Sequence, residues 1–115
     1  EKLGSKYDYL EKVRDRVTGE VKIRPKHLEF ENSNILIVDD IISTGGTMAL
    51  AASCALENNA ERVFAYGTHA LLVKGALDRL YASGITDVVS TDTVLSPISK
   101  ISIYRSLKKS LERFI

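Results

Sequence analysis

Asn34-Ile35-Leu36-Ile37-Val38-Asp39-Asp40-Ile41-Ile42-Ser43-Thr44-Gly45-Gly46-Thr47 decides the fold. Asn34–Val38 is a continuous apolar, β-branched run, the mark of a strand covered on both faces. Gly45-Gly46 forms a turn, and the residues after it carry helical spacing. A helix is expected from about Thr47 to Asn58, with Met48, Ala51, Ala52, Ala55 and Leu56 on one face. A buried strand feeding a helix through a glycine turn is the repeating unit of a parallel α/β sheet.

Downstream, the alternation repeats. Arg62–Tyr66 reads as a strand, Leu72–Ser83 as a helix closed at Gly84, Asp87–Thr91 as a strand and Ile101–Ile103 as a short strand. A closing helix follows, with Leu107, Leu111 and Phe114 sharing a face. Strand–helix alternation at this spacing implies right-handed crossovers.

Upstream, Tyr7-Asp8-Tyr9-Leu10 alternates in strand fashion, and Val21-Lys22-Ile23-Arg24 stops at Pro25. Two short strands around a polar, Gly19-bearing stretch predict a hairpin flap with a mobile tip. Glu1-Lys2-Leu3-Gly4 reads as the last turn of a helix with a glycine C-cap. An upstream part is therefore expected to be absent. The single domain divides into residues 1–24, a helix end plus flap, and residues 34–115, the core.

Composition narrows the function. The chain has 115 residues, 44% apolar and 27% charged, with a net charge of +1. That balance argues against a general nucleic-acid-binding surface, which needs a basic excess. The single Cys54 excludes an intrachain disulfide framework and a multi-cysteine zinc site, and reads as a small buried hydrophobe in a reducing, cytoplasmic setting. No apolar run reaches membrane-span length.

The chemistry lies in the turn. Ligands of open α/β sheets sit at the carboxyl ends of strands. Adjacent glycines let backbone N–H groups approach an anion, and the following helix start favours negative charge. Ser43, Thr44 and Thr47 hydroxyls can add donors, making a phosphate cup. The turn is not a nucleotide P-loop, because no Lys follows the glycines, and Gly-x-Gly-x-x-Gly is absent. Asp39 and Asp40 stand just before the cup, and carboxylates accept hydrogen bonds from vicinal hydroxyls directly or through hydrated Mg²⁺. A sugar phosphate suits both features. Taken singly, Asp-Asp reads as a turn with a helix cap and Gly-Gly as a connection; the nine residues together favour the cup.

Asp39–Thr47 resembles the phosphoribosyl diphosphate-binding motif shared by type I phosphoribosyltransferases and ribose-phosphate pyrophosphokinases. Leu10-Glu11-Lys12-Val13-Arg14 is similar to the pyrophosphokinase flap, in which a catalytic Lys is followed two residues on by an Arg. Arg62–His69 and Ser90–Thr93 extend the resemblance over essentially the whole chain, as a carboxyl-terminal half.

The resemblance implies a phosphoribosyltransferase-like (Rossmann-like) α/β domain with a parallel sheet, helices on both faces and an N-terminal hairpin flap. It implies transfer of the diphosphoryl group of ATP to ribose 5-phosphate with Mg²⁺, giving phosphoribosyl diphosphate and AMP, in a homo-oligomer. By position, Lys12 matches the catalytic lysine, Arg14 and Asp39 ribose-phosphate ligands, and Ser43, Thr44, Gly45, Gly46 and Thr47 the 5-phosphate loop. Asp40 completes the acidic pair. Without that match, Lys12, Arg14 and Arg16 read as a solvated hairpin edge.

Ser43 stands where many members carry Asp, which leaves phosphate binding intact and puts any role of that acid in doubt. The family's ATP-binding residues, a Mg²⁺-binding His and a diphosphate loop belong to the upstream half, so no metal ligand is assigned here. His69 and Asp92 are expected as capping or supporting groups, His27 at the surface, and Tyr7, Tyr9, Phe64 and Tyr66 in packing. A phosphoribosyltransferase, which would need a base-recognising hood, and a non-catalytic regulatory homologue are the competing readings.

Overall fold

The computed structural model describes residues 4–23 and 30–115. The expected helix end over residues 1–3, the strand stop at Arg24-Pro25 and the placement of His27 lie outside the described residues.

A two-stranded antiparallel ribbon precedes a four-stranded parallel sheet. The ribbon pairs β1 (Lys12–Arg14) with β2 (Val21–Ile23), Lys12 opposite Ile23 and Arg14 opposite Val21. The sheet runs β3 (Asn34–Ile42), β4 (Arg62–Ala70), β5 (Asp87–Thr91) and β6 (Ser99–Ile101), in sequential order. α1 (Gly46–Glu57) joins β3 to β4, α2 (Ala76–Ala82) joins β4 to β5, and α3 (Tyr104–Leu111) follows β6. The expected α/β class, parallel sheet and amino-terminal hairpin are all present.

Sequential strand order with right-handed crossovers sends consecutive helices to one face. α1 and α2 accordingly touch each other. Beneath them the core gathers Val63, Ala65, Leu80, Ile85 and Val88, with Ile35 and Ile37 packed against it. Small residues let α1 lie close to the sheet: Ala51, Ala52 and Ala55 are buried with Met48, as its spacing predicts, and Ala49 joins them.

The cover expected on both faces of Asn34–Val38 is realised on one. Leu36 and Val38 are 53% and 63% exposed, because the two crossover helices share the opposite side and α3 buries no residue. Leu107, Leu111 and Phe114 are likewise exposed rather than packed.

Other expectations shift. Tyr7–Leu10 forms no strand; Tyr7 and Tyr9 are 75% and 72% exposed, and alternation without a partner strand does not hold a ribbon. β3 runs on through Asp39–Ile42 because β4 also continues to Ala70, pairing Asp39 with Gly67 and Ile42 with Ala70. The second helix begins at Ala76 rather than Leu72, since the amides of residues 71–73 bond the end of β3. The last strand sits at Ser99–Ile101 rather than Ile101–Ile103. Cys54 is half-buried. Among the described residues no helix is long and apolar enough to cross a membrane.

Gly67 shows how tightly the end of β3 is seated. A Cβ there would fall 2.4 Å from Ile42 Cγ1 and 2.6 Å from Cδ1, and Ile42 is 2% exposed. Gly67→Ala should cost about 1–3 kcal/mol of stability through overpacking. Thermal unfolding monitored by circular dichroism checks this; an unchanged Tm would show that Ile42 is free to move.

Candidate functional site

The turn after β3 is shaped by what its carbonyls do. Ile42 O accepts from the Leu71 and Leu72 amides at 2.9 and 3.1 Å, and Ser43 O from the Val73 amide at 3.0 Å. Thr44 O accepts from the Arg79 guanidinium, and Gly45 O from the Ala49 amide at 2.9 Å. Four successive carbonyls therefore turn toward the protein. A trans peptide sets its N–H opposite to its C=O. The amides of Ser43, Thr44, Gly45 and Gly46 consequently turn the other way, and no described backbone carbonyl accepts from them.

Gly45 makes this turn possible. Its φ of 77° is left-handed, and a Cβ would lie 3.0 Å from Leu80 Cγ and 3.3 Å from Ala76 O. It is the N-cap of α1 and offers no side-chain cap, so the first-turn amides remain available as donors. Gly46 N–H reaches Thr44 Oγ1 only at 3.4 Å. Outward amides ahead of an uncapped helix start are an arrangement that can receive an anion. Ser43 and Thr44 are exposed and Thr47 is half-buried.

The carboxylates adjoin this cradle within β3. Asp39 Oδ1 accepts from the Asp40 amide at 2.9 Å, and Asp40 Oδ1 from the Ile41 amide at 2.8 Å. Hydrogen bonding with the Asp39 side chain, then with the Ile41 amide, holds the Asp40 carboxyl below its ordinary value. Asp40 thus stays ionised at neutral pH.

Lys12 Nζ of the ribbon lies 3.8 Å from Asp39 Oδ2, which brings the flap lysine to the acidic pair. Both groups are partly exposed, so the pair contributes ~1 kcal/mol at most. Arg14 follows two residues later and so shares the Lys12 side of the ribbon. It is exposed and forms no ion pair with another described residue.

His69 and Asp92 are tied into supporting bonds. His69 Nδ1 meets Thr93 Oγ1 at 2.7 Å, while Thr91 and Thr93 hydroxyls both donate to Thr68 O, at 2.6 and 3.0 Å. Asp92 Oδ1 accepts from the Ile103 amide at the start of α3, 2.9 Å away. Sequence reasoning missed Arg79 and the amides of residues 71–73. An arginine on an exposed helix face and backbone groups in an irregular connection leave no signal in composition or spacing.

The sequence profile of the phosphoribosyl synthetase-associated domain matches residues 31–109. The chain belongs to that family. Among curated relatives, the ribose-phosphate pyrophosphokinase of Methanopyrus kandleri is 44% identical over 110 residues, covering 95% of this chain and 37% of the relative. The ribose-phosphate pyrophosphokinase of Sulfolobus acidocaldarius is 42% identical over 104 residues, covering 90% and 36%. The crystal structure of phosphoribosylpyrophosphate synthetase from Mycobacterium smegmatis matches with a TM-score of 0.64 at 25% identity, over 84% of this chain and 34% of that one. The chain thus spans little more than a third of the length of these phosphoribosyl synthetase relatives.

The ribbon that carries Lys12 has its own pH-sensitive element. Asp15 Oδ1 accepts from the Val17 and Thr18 amides at 2.7 and 3.0 Å, and its N–H donates to Glu20 O at 2.8 Å. The Thr18 amide first, then that of Val17, lowers the Asp15 carboxyl below its ordinary value. A depressed folded-state value means stability that is present above the unfolded value and lost as pH falls through the folded one. The Val17 and Thr18 amide resonances should therefore titrate together, with a midpoint below ~3.9. Asp15→Asn should abolish the titration, and a midpoint at or above the ordinary carboxylate value would remove Asp15 from the turn.

Proposed function

We propose that this chain binds ribose 5-phosphate for diphosphoryl transfer from ATP. The single observation that carries the reading is the Ser43–Gly46 turn. Its carbonyls are engaged by the protein, which leaves its amides for an anion, and Lys12 stands at the adjoining carboxylate. Membership of the phosphoribosyl synthetase-associated family supports ribose phosphate as that anion.

In the proposed complex the Ser43–Thr47 amides and hydroxyls hold the 5-phosphate, and Asp39 and Asp40 accept from the ribose hydroxyls. The anomeric oxygen attacks the β-phosphorus of ATP. A new P–O bond forms, the bond from that phosphorus to the α,β-bridging oxygen breaks, AMP leaves and the hydroxyl proton is lost. Such transfers depend on positioning and on balancing charge over phosphate oxygens. Lys12 and Arg14, on a ribbon apart from the main sheet, supply cations when it closes over the substrates.

Among the described residues no cluster of three or more His, Cys, Asp or Glu is placed to hold a metal. Mg²⁺ nevertheless fits Asp39 and Asp40, because it commonly takes one or two carboxylates together with substrate phosphates and waters. When bound, it would neutralise phosphate charge. The ATP site, assembly from several copies and a cytoplasmic setting belong to the same proposal, by analogy with the resembled family.

The test is ATP-to-AMP conversion dependent on ribose 5-phosphate, using the polypeptide that carries these residues. Lys12→Ala should lower kcat roughly 100-fold or more with ribose 5-phosphate affinity little changed, the loss seen on removing one transition-state donor. Turnover near wild type would defeat the assignment of Lys12. Nucleotide formation from a free base and phosphoribosyl diphosphate, without AMP release from ATP, would replace the kinase reading with a phosphoribosyltransferase.

A further inference from the structure

Arg79 lies on α2, a helix outside the motif, yet its Nη1 donates to Thr44 O in the middle of the turn. The neighbouring carbonyls of Ile42, Ser43 and Gly45 are held by backbone amides, which any sequence would provide. Thr44 O alone is held by a side chain. Because the peptide is trans, fixing the Thr44 carbonyl toward α2 aims the Gly45 N–H away from it, on the side where the neighbouring amides emerge.

Two further observations single out this peptide. Gly45 is buried and left-handed, in close register with Leu80 and the Ala76 carbonyl of the same helix, so α2 is the surface on which the turn rests. Arg79, Thr44, Gly46 and Thr47 also line one cavity of about 550 Å³. The guanidinium is thus next to the turn while engaged with its carbonyl side.

We propose that Arg79 is a positioning residue for the anion-binding turn. It locks the Thr44–Gly45 peptide so that the Gly45 N–H donates to the sugar phosphate, and it makes no bond to the phosphate itself. This rests on the reading of the turn as a phosphate site. Without Arg79 the peptide can rotate, and one donor is lost from the cradle although every residue of the motif is present.

The experiment uses the polypeptide that carries this chain, with Arg79→Met, which keeps an unbranched stem without the donor, and Arg79→Lys, which keeps a donor. Ribose 5-phosphate and inorganic phosphate are titrated by calorimetry, and the Gly45 amide is followed by ¹⁵N-resolved NMR. Arg79→Met should weaken both ligands about tenfold, as loss of one hydrogen bond to a charged group would. It should also shrink the ligand-induced downfield shift of the Gly45 amide while the Lys12 contribution to kcat persists. Arg79→Lys should recover most of both.

Wild-type affinity with an unaltered Gly45 shift in Arg79→Met overturns the role of Arg79 and leaves the phosphate site standing. A smaller dependence of affinity on salt in Arg79→Met marks a direct cation–phosphate contact and also overturns it. Failure of the unsubstituted protein to bind ribose 5-phosphate removes the site, and the role of Arg79 with it.

Discussion

The orientation of four peptide planes governs this molecule. The carbonyls of Ile42 through Gly45 are drawn onto the β4–α2 connection, α2 and the first turn of α1, and the attached N–H groups face the other way. Backbone donors left without a protein partner are costly unless water or an anion meets them. Their arrangement is fixed by the body of the domain rather than by the loop's own preferences, so under the proposed function an anion would meet a prepared surface. Preorganisation of this kind lowers the ordering cost of binding. Ile42, buried over Gly67, anchors one end, and Gly45, seated against Leu80, anchors the other.

The ribbon answers a different need. A two-stranded hairpin is marginal by itself. Here Asp15 braces the turn by accepting two amides, and Lys12 reaches Asp39 across to the main sheet. The Lys12–Asp39 contact is polar and partly exposed, which makes it weak and easily exchanged, while β2 also lies against α1. Under the proposed function an incoming phosphate would compete with Asp39 for the Lys12 ammonium, so this polar contact of the ribbon is one that ligand could take over.

Much of this was legible in the residues because it is local. An apolar β-branched run marked β3, the repeating strand–helix alternation marked β4 and β5, helical spacing gave the buried face of α1, and adjacent glycines behind two aspartates marked the turn. The resemblance, carried by the motif, Lys12 and Arg14, named the family to which residues 31–109 belong. The misplacements are tertiary. Leu72–Ser83 reads as a helix, but the amides of residues 71–73 are spent on the Ile42 and Ser43 carbonyls, and Leu72 and Lys74 take left-handed φ values of 50° and 53°. Tyr7–Leu10 alternates like a strand and finds no partner strand. Leu36 and Val38 read as doubly buried, yet successive crossovers put both helices on the opposite face. Arg79 was invisible because its partner is a backbone atom.

Under the proposed function, these pieces would separate the two demands of phosphoryl chemistry. Everything that shapes the anion cradle lies between β3 and α2, inside the segment matched by the family profile. Lys12 and Arg14 lie ahead of that segment, on the ribbon. The proposed cradle is built from backbone geometry, which would tolerate Ser43 in place of an acid because the amides remain whatever side chain they carry. The ribbon works through side-chain charge, which no backbone can replace. Substitutions in the turn should consequently act on affinity through conformation, and substitutions in the ribbon on rate through charge. Under the proposed function, a domain organised this way would keep its sugar-phosphate site even where the ribbon's cations are lost.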